Sequence, residues 1–576
     1  MKKNIATFSV ILVMIAFSDT VRGQEGELLA PDVIFVQGKI VTVNHDFAVV
    51  EAIAVKSGRI IAIGTNQQIK RLSYPTTRVV DLRGKTVLPG FNDNHIHIRT
   101  GTSRGENWKA ISSLDALSEA LIKRTSELLT DQWIRATLTR PYFPNDITPD
   151  RHWLDQRVPD RPVALTRGHL MMLNSEGLRR AQITRSTPDP KGGWIIRDET
   201  GEPTGKLFED PAKRLVRRHF PPQFLLSDKQ ILKNLRKNLR ELTHLGYTSF
   251  NVPGLRPWEL RYMQEVYRQW GEEFPRVTIQ LRLYPGHDEH DDLEEGAREA
   301  IAHLEGLGFH TGFGDDRIKI GAIKMSVDGG LSAPTFWTKI PYDSTTGWRK
   351  GKPEFYGVVR IPRQTLYQVA KRAHELGWQL GIHTIGDAAV EMTVDVIEQV
   401  MQEFPREDPR HYLHHVSVMP PKKTLKKMSE LGVIVSSQPA FMYWLGPFAV
   451  EALQGNREQT NNPQKSLLNN GIRMSYGTDG APTDPRVELW SAVMRKGWDG
   501  KIYGSGERVS VEEAIYAITM GTAYMNFDEK KKGSIEVGKF ADMVVLGEDI
   551  LTINPDRIKD ISIDMTIIGG KIVYLK

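Results

Sequence analysis

Two patterns of apolar and polar positions divide the chain. Between 31 and 90, the Val- and Ile-rich runs DVIFVQGKIVTV, EAIAVKSGRIIAIG and TRVVDLRGKTVLPG are punctuated by glycine. That pattern predicts short strands joined by tight turns. Near the other end, GSIEVGKFADMVVLGED and MTIIGGKIVYLK repeat the design. The string GKIV occurs in both regions, at Gly38–Val41 and Gly570–Val573. Residues 31–88 and 530–576 are therefore expected to pair in one small β-domain.

Between 89 and 529 the period changes. Four stretches share one plan, an amphipathic helix, a glycine stop and a short apolar strand. They are NLRELTHLGYTSFNV, AKRAHELGWQLGIHTIG, LKKMSELGVIVSSQP and KSLLNNGIRMSYGTDG, with stops at Gly246, Gly377, Gly432 and Gly471. Glycine just past a helix suits the left-handed cap conformation. Helix–strand alternation of this kind predicts βα units and a parallel sheet. The span exceeds the roughly 250 residues of an ordinary (β/α)8 barrel, a fold that accepts insertions. Segment 185–225, polar and rich in proline, reads as one. A doubly wound open sheet is the alternative, but no GxGxxG follows a first strand.

The first residues read as an address. Lys2 and Lys3 precede an almost unbroken apolar run, Ile5 to Phe17, too short for the ~20 residues of a membrane span. Val21-Arg22-Gly23 then offers small residues at the spacing a signal peptidase uses. The expectation is a signal peptide over 1–23, a mature chain starting near Gln24, and a periplasmic or secreted protein without stable membrane insertion. A buried N-terminal helix or an uncleaved anchor is the rival reading.

Composition narrows the chemistry. With 576 residues the chain is too long for one ordinary core. Its 40% hydrophobic and 25% charged content excludes a disordered or polytopic membrane protein. The net charge of +6 is mild at this length, and no basic run interleaves with aromatics, so nucleic acid is not an expected partner. Cysteine is absent, which removes disulfides, Cys-ligated zinc, iron–sulfur clusters, thiol catalysis and a bacterial lipid anchor. Any metal must be held by His, Asp, Glu or a modified side chain.

Catalytic groups of a barrel sit at the C-terminal ends of its strands. In TVLPGFNDNHIHIRTG, His95 and His97 are two apart and would face the same way in a strand. Two imidazoles on one face can share an ion. By itself the pair is equally well two ordinary sheet histidines. His383 ends WQLGIHTIGD, His415 ends HYLHHVSV, and Asp479 ends GIRMSYGTDGAP. Lys324 lies in the otherwise apolar RIKIGAIKMSVDGG. Each has a bland alternative: a core histidine, a turn aspartate, an edge lysine. Five such groups at successive strand ends are hard to read as five accidents.

These segments, with GHLMMLNS, GEPTGKLFED, SSQPAF and GSIEVGKFADMVVL, resemble the amidohydrolase superfamily, and within it the YtcJ-like branch, over nearly the whole mature chain. The resemblance implies a distorted (β/α)8 TIM barrel (residues 89–529) with a β-sandwich built from both chain ends. It implies that His95 and His97 hold the more buried of two divalent metals, and His383 and His415 the second. Lys324, opening a Lys-x-x-x-Asp-Gly pattern, would be carboxylated to bridge them, and Asp479 would be ligand and general base. His169 would lie near substrate. Zinc suits mixed imidazole and oxygen donors, and manganese or iron would also fit them. The implied activity is hydrolysis of a non-peptide C–N bond of a small molecule. Lactone or ester hydrolysis, deamination, isomerisation, or a non-catalytic use of the fold are alternatives, since fold does not fix function.

Three positions depart from the family pattern. His414 stands where Glu is usual before the sixth-strand histidine, Ala388 where Arg is usual after Gly386-Asp387, and Asp328-Gly329-Gly330 replaces a Gly-Ser stretch. They bear on substrate rather than on metal. Aromatics near the strand ends (Trp108, Phe336, Trp337, Trp348, Phe441, Tyr443 and Trp444) either line a pocket or pack loops. Of these, Trp108 and Trp337 are taken as substrate candidates. GTSRG at 101–105 fits a nucleophile elbow around Ser103, a pattern short enough to arise by chance. HDEHDDLEE at 287–295 reads as a solvated loop and helix start. A homo-oligomer stays open.

Overall fold

The computed structural model describes residues 30–98, 105–108, 111, 113–138, 149–221, 226–332, 334–344, 354–446, 453, 457–480 and 482–576. The expected export signal and Ser103 lie outside these residues. Eight parallel strands form the central sheet: β1 Phe91–Asp93, β2 Tyr247–Leu255, β3 Arg276–Arg282, β4 Ile318–Ser326, β5 Leu380–Thr384, β6 Tyr412–His415, β7 Ile434–Ser437 and β8 Met474–Tyr476. They neighbour one another in chain order. The backbone N–H of Asn94 reaches the carbonyl of Tyr476 at 3.0 Å, bringing the first and last strands together as a TIM-type barrel. The four glycine stops all have left-handed φ, from +65° at Gly432 to +90° at Gly377, and each separates a helix from the next barrel strand. A β-carbon is strained there, which is why the sequence signal is a glycine.

Both chain ends meet in a two-sheet β-sandwich. One sheet runs Arg59–Gly64, Ala52–Lys56, Val33–Val36, Arg78–Asp81. The other runs Lys571–Leu575, Ile563–Ile568, Met543–Leu546, Thr86–Pro89, Lys39–Val41, Val49–Val50. The two GKIV segments thus belong to one sheet, with three strands between them. Phe35, Ile53, Val55, Val87, Val545 and Ile567 fill the space between the layers. Arg276 at the start of β3 donates to Asp542 at 2.7 Å, a buried ion pair between barrel and sandwich.

The insertion is larger than segment 185–225. Between β1 and β2 lies a six-stranded sheet running Trp194–Arg197, Pro203–Phe208, Leu170–Leu173, Val163–Arg167, Ile134–Leu138, Glu106–Trp108, with its own apolar clusters. Three of its strands are parallel and two are preceded by helices, so along the sequence they look like further barrel units. Among the described residues no helix is long and apolar enough to cross a membrane.

Candidate metal centre

The ends of β1 and β8 are built to hold one another. Asp93, fully buried, accepts from the backbone of His95 at 2.7 Å, from the Thr478 hydroxyl at 2.8 Å and from Tyr247 at 3.2 Å. Burial pushes its carboxyl up to about 6 in spite of these donors. The Asp479 N–H donates to the His95 carbonyl at 2.7 Å. The result is a convergence of His95, His97 and Asp479, whose donor atoms all lie within 4.8 Å of one another. Oδ1 of Asp479 is 3.1 Å from Nε2 of His97 and 3.6 Å from Nε2 of His95.

The other predicted groups close around this trio. The rings of His95 and His415 are 5.2 Å apart, and those of His415 and His383 4.5 Å apart. His415 uses Nδ1 on Gln438 at 2.6 Å, which leaves Nε2 for a ligand. His383 uses Nε2 on the Gly329 carbonyl at 3.1 Å, which leaves Nδ1. Lys324 is buried in β4, and burial together with the Arg282 charge holds its ammonium well below the usual lysine range. Burial and neighbouring cations likewise keep His95 and His383 well below the ordinary histidine value, and His415 at about 3. Imidazoles with an open nitrogen, a carboxylate and an amine of lowered basicity, converging where His95, His383, His415 and Lys324 are buried and His97 is exposed, fit a divalent cation. His415 and Asp479 sit at φ +78° and +51°, costly for residues other than glycine and frequent at functional sites.

The model of the amidohydrolase family matches residues 78–574. The chain belongs to the amidohydrolase family. It is 30% identical to the putative amidohydrolase YtcJ of Bacillus subtilis over 94% of this chain and 98% of that one. It is 24% identical to the N-substituted formamide deformylase of Arthrobacter pascens, again over 94% and 98%. In fold it is similar to an uncharacterized metal-dependent hydrolase from Pyrococcus horikoshii, with a TM-score of 0.68 at 22% identity, covering 91% of this chain and 99% of that one.

Within this amidohydrolase, His169 leaves the insert at the end of Val163–Arg167 and stands beside the barrel segment carrying Gly329 and Gly330. Trp337 packs against the barrel core, and its backbone N–H donates to Asp328 at 3.0 Å. Trp108 packs instead against the insert's own cluster of Leu117, Leu121 and Leu138. Phe336 and Phe441 fill an apolar cluster with Leu331 and Tyr342, and Trp444 packs on it. Tyr443 packs on the barrel core, and Trp348 lies outside the described residues. Of the 287–295 run, Asp292 caps helix Leu293–Gly306. His287 and Asp288 are buried rather than solvated, because Arg360 and Arg282 face the Asp288 carboxylate at 3.5 and 3.8 Å.

Several residues of the site were not among the sequence candidates, although Asp328 belongs to the Lys-x-x-x-Asp-Gly pattern and Glu209, Ser436 and Gln438 lie in the GEPTGKLFED and SSQPAF segments. Asp328 is fully buried, accepts from the N–H groups of Ile385, Gly386 and Trp337, and is pushed up by burial to about 7. Gln280, Gln438 and Ser436 hold imidazoles in place. Glu209 and Arg360 flank His169. Short polar residues of this kind are common in any chain, and only a shared three-dimensional partner singles them out.

Proposed function

We propose that this amidohydrolase is an exported, metal-dependent hydrolase that uses water to cleave a non-peptide C–N bond of a small amide. The observation that carries the reading is the convergence of His95, His97 and Asp479 at the joined ends of β1 and β8, with Lys324, His383 and His415 beside them. The likeness to a formamide deformylase over nearly the full length of both chains supports the choice of bond. The basic and apolar N-terminal segment supports export.

Zinc is the ion that this donor set favours; His95, His97 and Asp479 would hold one ion and His383 and His415 a second, with Lys324, once carboxylated, as a further ligand. A bound divalent ion would lower the pKa of water from about 15.7 to about 7 and polarise the substrate carbonyl. Asp479 takes the proton of the attacking water and returns it to the leaving nitrogen. Burial and the Arg282 charge favour the uncharged amine of Lys324, whose lone pair carboxylation by carbon dioxide requires, and the carbamate anion would be attracted to Arg282.

The test is formate release from N-butylformamide by protein loaded with zinc, by protein stripped with a chelator, and by stripped protein reloaded. The expected result is activity that disappears on stripping and returns on reloading. Full activity in stripped protein would overturn the reading, as would inactivation by a serine-directed reagent. Turnover confined to lactones or phosphoesters would overturn the choice of bond. Intact-mass measurement on the native protein should show loss of the leader near Gln24.

A further inference from the structure

Glu209 belongs to the insert, at the junction between strand Pro203–Phe208 and helix Glu209–Arg217, and is completely buried. Its φ of +70° is a backbone cost that the surrounding contacts must hold in place. One carboxylate oxygen accepts from the Gly330 N–H at 3.1 Å and from the Thr335 hydroxyl. The other accepts from the Arg360 guanidinium and faces Nδ1 of His169 at 2.8 Å. The Glu209 N–H also donates to the His169 carbonyl at 2.9 Å, and the His169 N–H to Ser332 at 3.3 Å. His169 is thus gripped by main chain and ring alike.

The ring's placement follows from these contacts. Nδ1 lies nearer the Glu209 carboxylate (2.8 Å) than the Arg360 nitrogen (3.1 Å), and Arg360 already supplies the countercharge of Glu209. Nδ1 is therefore assigned the proton, and Nε2 keeps a lone pair. The ring lies flat on Gly330, where a β-carbon would fall 2.1–2.4 Å from its atoms. The neighbouring Gly329 carbonyl is the one that meets His383. The His169 side chain is 27% exposed while Glu209 is wholly covered, so the open edge is the one away from Nδ1.

We propose that Glu209 is a positioning residue that fixes His169 with Nε2 as a hydrogen-bond acceptor at the mouth of the metal centre. There His169 accepts the N–H of the substrate, which selects secondary amides over fully substituted ones. This rests on the amide-hydrolase reading and deepens it. A tertiary amide has no N–H to offer and leaves the acceptor unmatched, the kind of mismatch by which sites reject close analogues. The insert, which meets the barrel here through the Glu209 carboxylate and the His169–Ser332 contact, would thereby set substrate choice.

The experiment compares kcat/KM for N-butylformamide and N-butyl-N-methylformamide in zinc-loaded wild type, His169→Phe and Glu209→Gln, with metal content measured throughout. Wild type should favour the secondary amide by about 10²-fold. Both variants should keep their metal, and the preference should fall toward one. His169→Phe leaves the Glu209–Arg360 pair in place and keeps the test valid if Glu209→Gln folds poorly. Slower variants that retain the wild-type preference would overturn the proposal. So would a wild type that turns over both amides equally. Nitrogen NMR of 15N-histidine protein, with His169 assigned by difference from the Phe variant, reads the tautomer without turnover. An Nδ1–H ring is expected, and an Nε2–H ring would overturn the proposal. Failure of wild type to hydrolyse either amide, with the Nδ1–H ring observed, would count against the amide-hydrolase reading and leave the positioning by Glu209 standing.

Discussion

The Nδ1 atoms of His95 and His414 lie 2.8 Å apart, so one ring must donate to the other. Nε2 of His414 faces Oε1 of Gln280 at 3.1 Å, and the Ser436 hydroxyl donates to Asn94 at 2.8 Å. Nδ1 of His414 also lies 2.9 Å from that hydroxyl and is shared between Ser436 and His95. A metal-binding His95 requires its proton on Nδ1, donated to His414, with the Nε2 lone pair turned toward Asp479. The reverse assignment would protonate Nε2 and leave His95 nothing to offer an ion. His414 thus does with a neutral ring what an outer carboxylate commonly does for a metal-binding histidine. His414→Leu should weaken zinc binding about 10–100-fold in chelator competition. Unchanged affinity would show that His95 needs no such support.

Lys324 makes a second claim on metal content. Its amine is buried, depressed in basicity and surrounded by histidines and Asp479. Lys324→Ala should retain at most one zinc per chain by elemental analysis, and short carboxylic acids should restore part of the second. Two tightly bound ions in the unassisted variant would remove Lys324 from the ligand set.

A histidine pair away from the metal predicts an acid limit to stability. His411 accepts the Leu380 N–H on Nδ1 at 3.0 Å, so its Nε2 donates to Nδ1 of His374 at 2.8 Å, and Nε2 of His374 donates to the Phe404 carbonyl at 2.7 Å. Neither ring can add a proton without placing it against another N–H. Burial holds both below the ordinary value, His411 well below it, with Arg406 adding to the effect on each. Above about 6.5 the rings are neutral whether folded or not, and the full stability is present. As pH falls below 6.5 the unfolded chain takes up protons first, and stability declines by up to about 1.4 kcal/mol per pH unit for each ring. His411→Gln should be less stable at pH 7.5 but lose less Tm between pH 7.5 and 5.5 than wild type. An equal loss would place the acid sensitivity elsewhere.

The glycine stops and the strand-end histidines were legible because each obeys a local rule. A helix ending in a left-handed residue favours Gly246 or Gly377 whatever surrounds it, and a polar His383 or His415 at the end of an apolar strand marks the barrel mouth. The two GKIV strands were legible for a similar reason, since Val and Ile runs mark strands and their likeness marked one small β-domain. The six-stranded insert was not, because Ile134–Leu138 and Val163–Arg167 are parallel strands preceded by helices, like those of the barrel. Gln280 was illegible, and Glu209 and Asp328 were visible only as members of longer motifs, because their meaning is a partner far along the chain. His414 stood out only as a departure from a family pattern; the pairing with His95 that explains it spans 319 residues.

Gly330 gives a prediction that depends on space alone. A β-carbon there would lie 2.1 Å from Cδ2 and 2.2 Å from Nε2 of His169. Gly330→Ala should displace the imidazole and lower kcat/KM about 10²-fold, the cost typical of a misplacement near 1 Å. Zinc content should stay at the wild-type value because no metal-binding candidate is touched. Normal kinetics in a folded, zinc-loaded variant would show that the ring's position is immaterial.

Asp479 decides between a ligand, a base and a turn residue. Its carboxylate lies 3.1 Å from His97, its N–H is bonded to His95, and it follows the β8 segment Met474–Tyr476. Its φ of +51° is one that asparagine adopts as readily as aspartate, so Asp479→Asn leaves the backbone undisturbed. Asn also keeps the size and one oxygen that can face an ion, but it cannot accept a proton from water. If Asp479 is the proton shuttle, kcat should fall about 10²–10⁴-fold while zinc content changes little. If it serves first as a ligand, zinc and kcat should fall together, and excess zinc should restore both. If it only completes the turn before Gly480, the variant should be nearly neutral. Measuring kcat and zinc on the same preparation separates the three, and the structure favours the first, because the imidazoles of His95 and His97 remain to hold an ion when the carboxylate charge is gone.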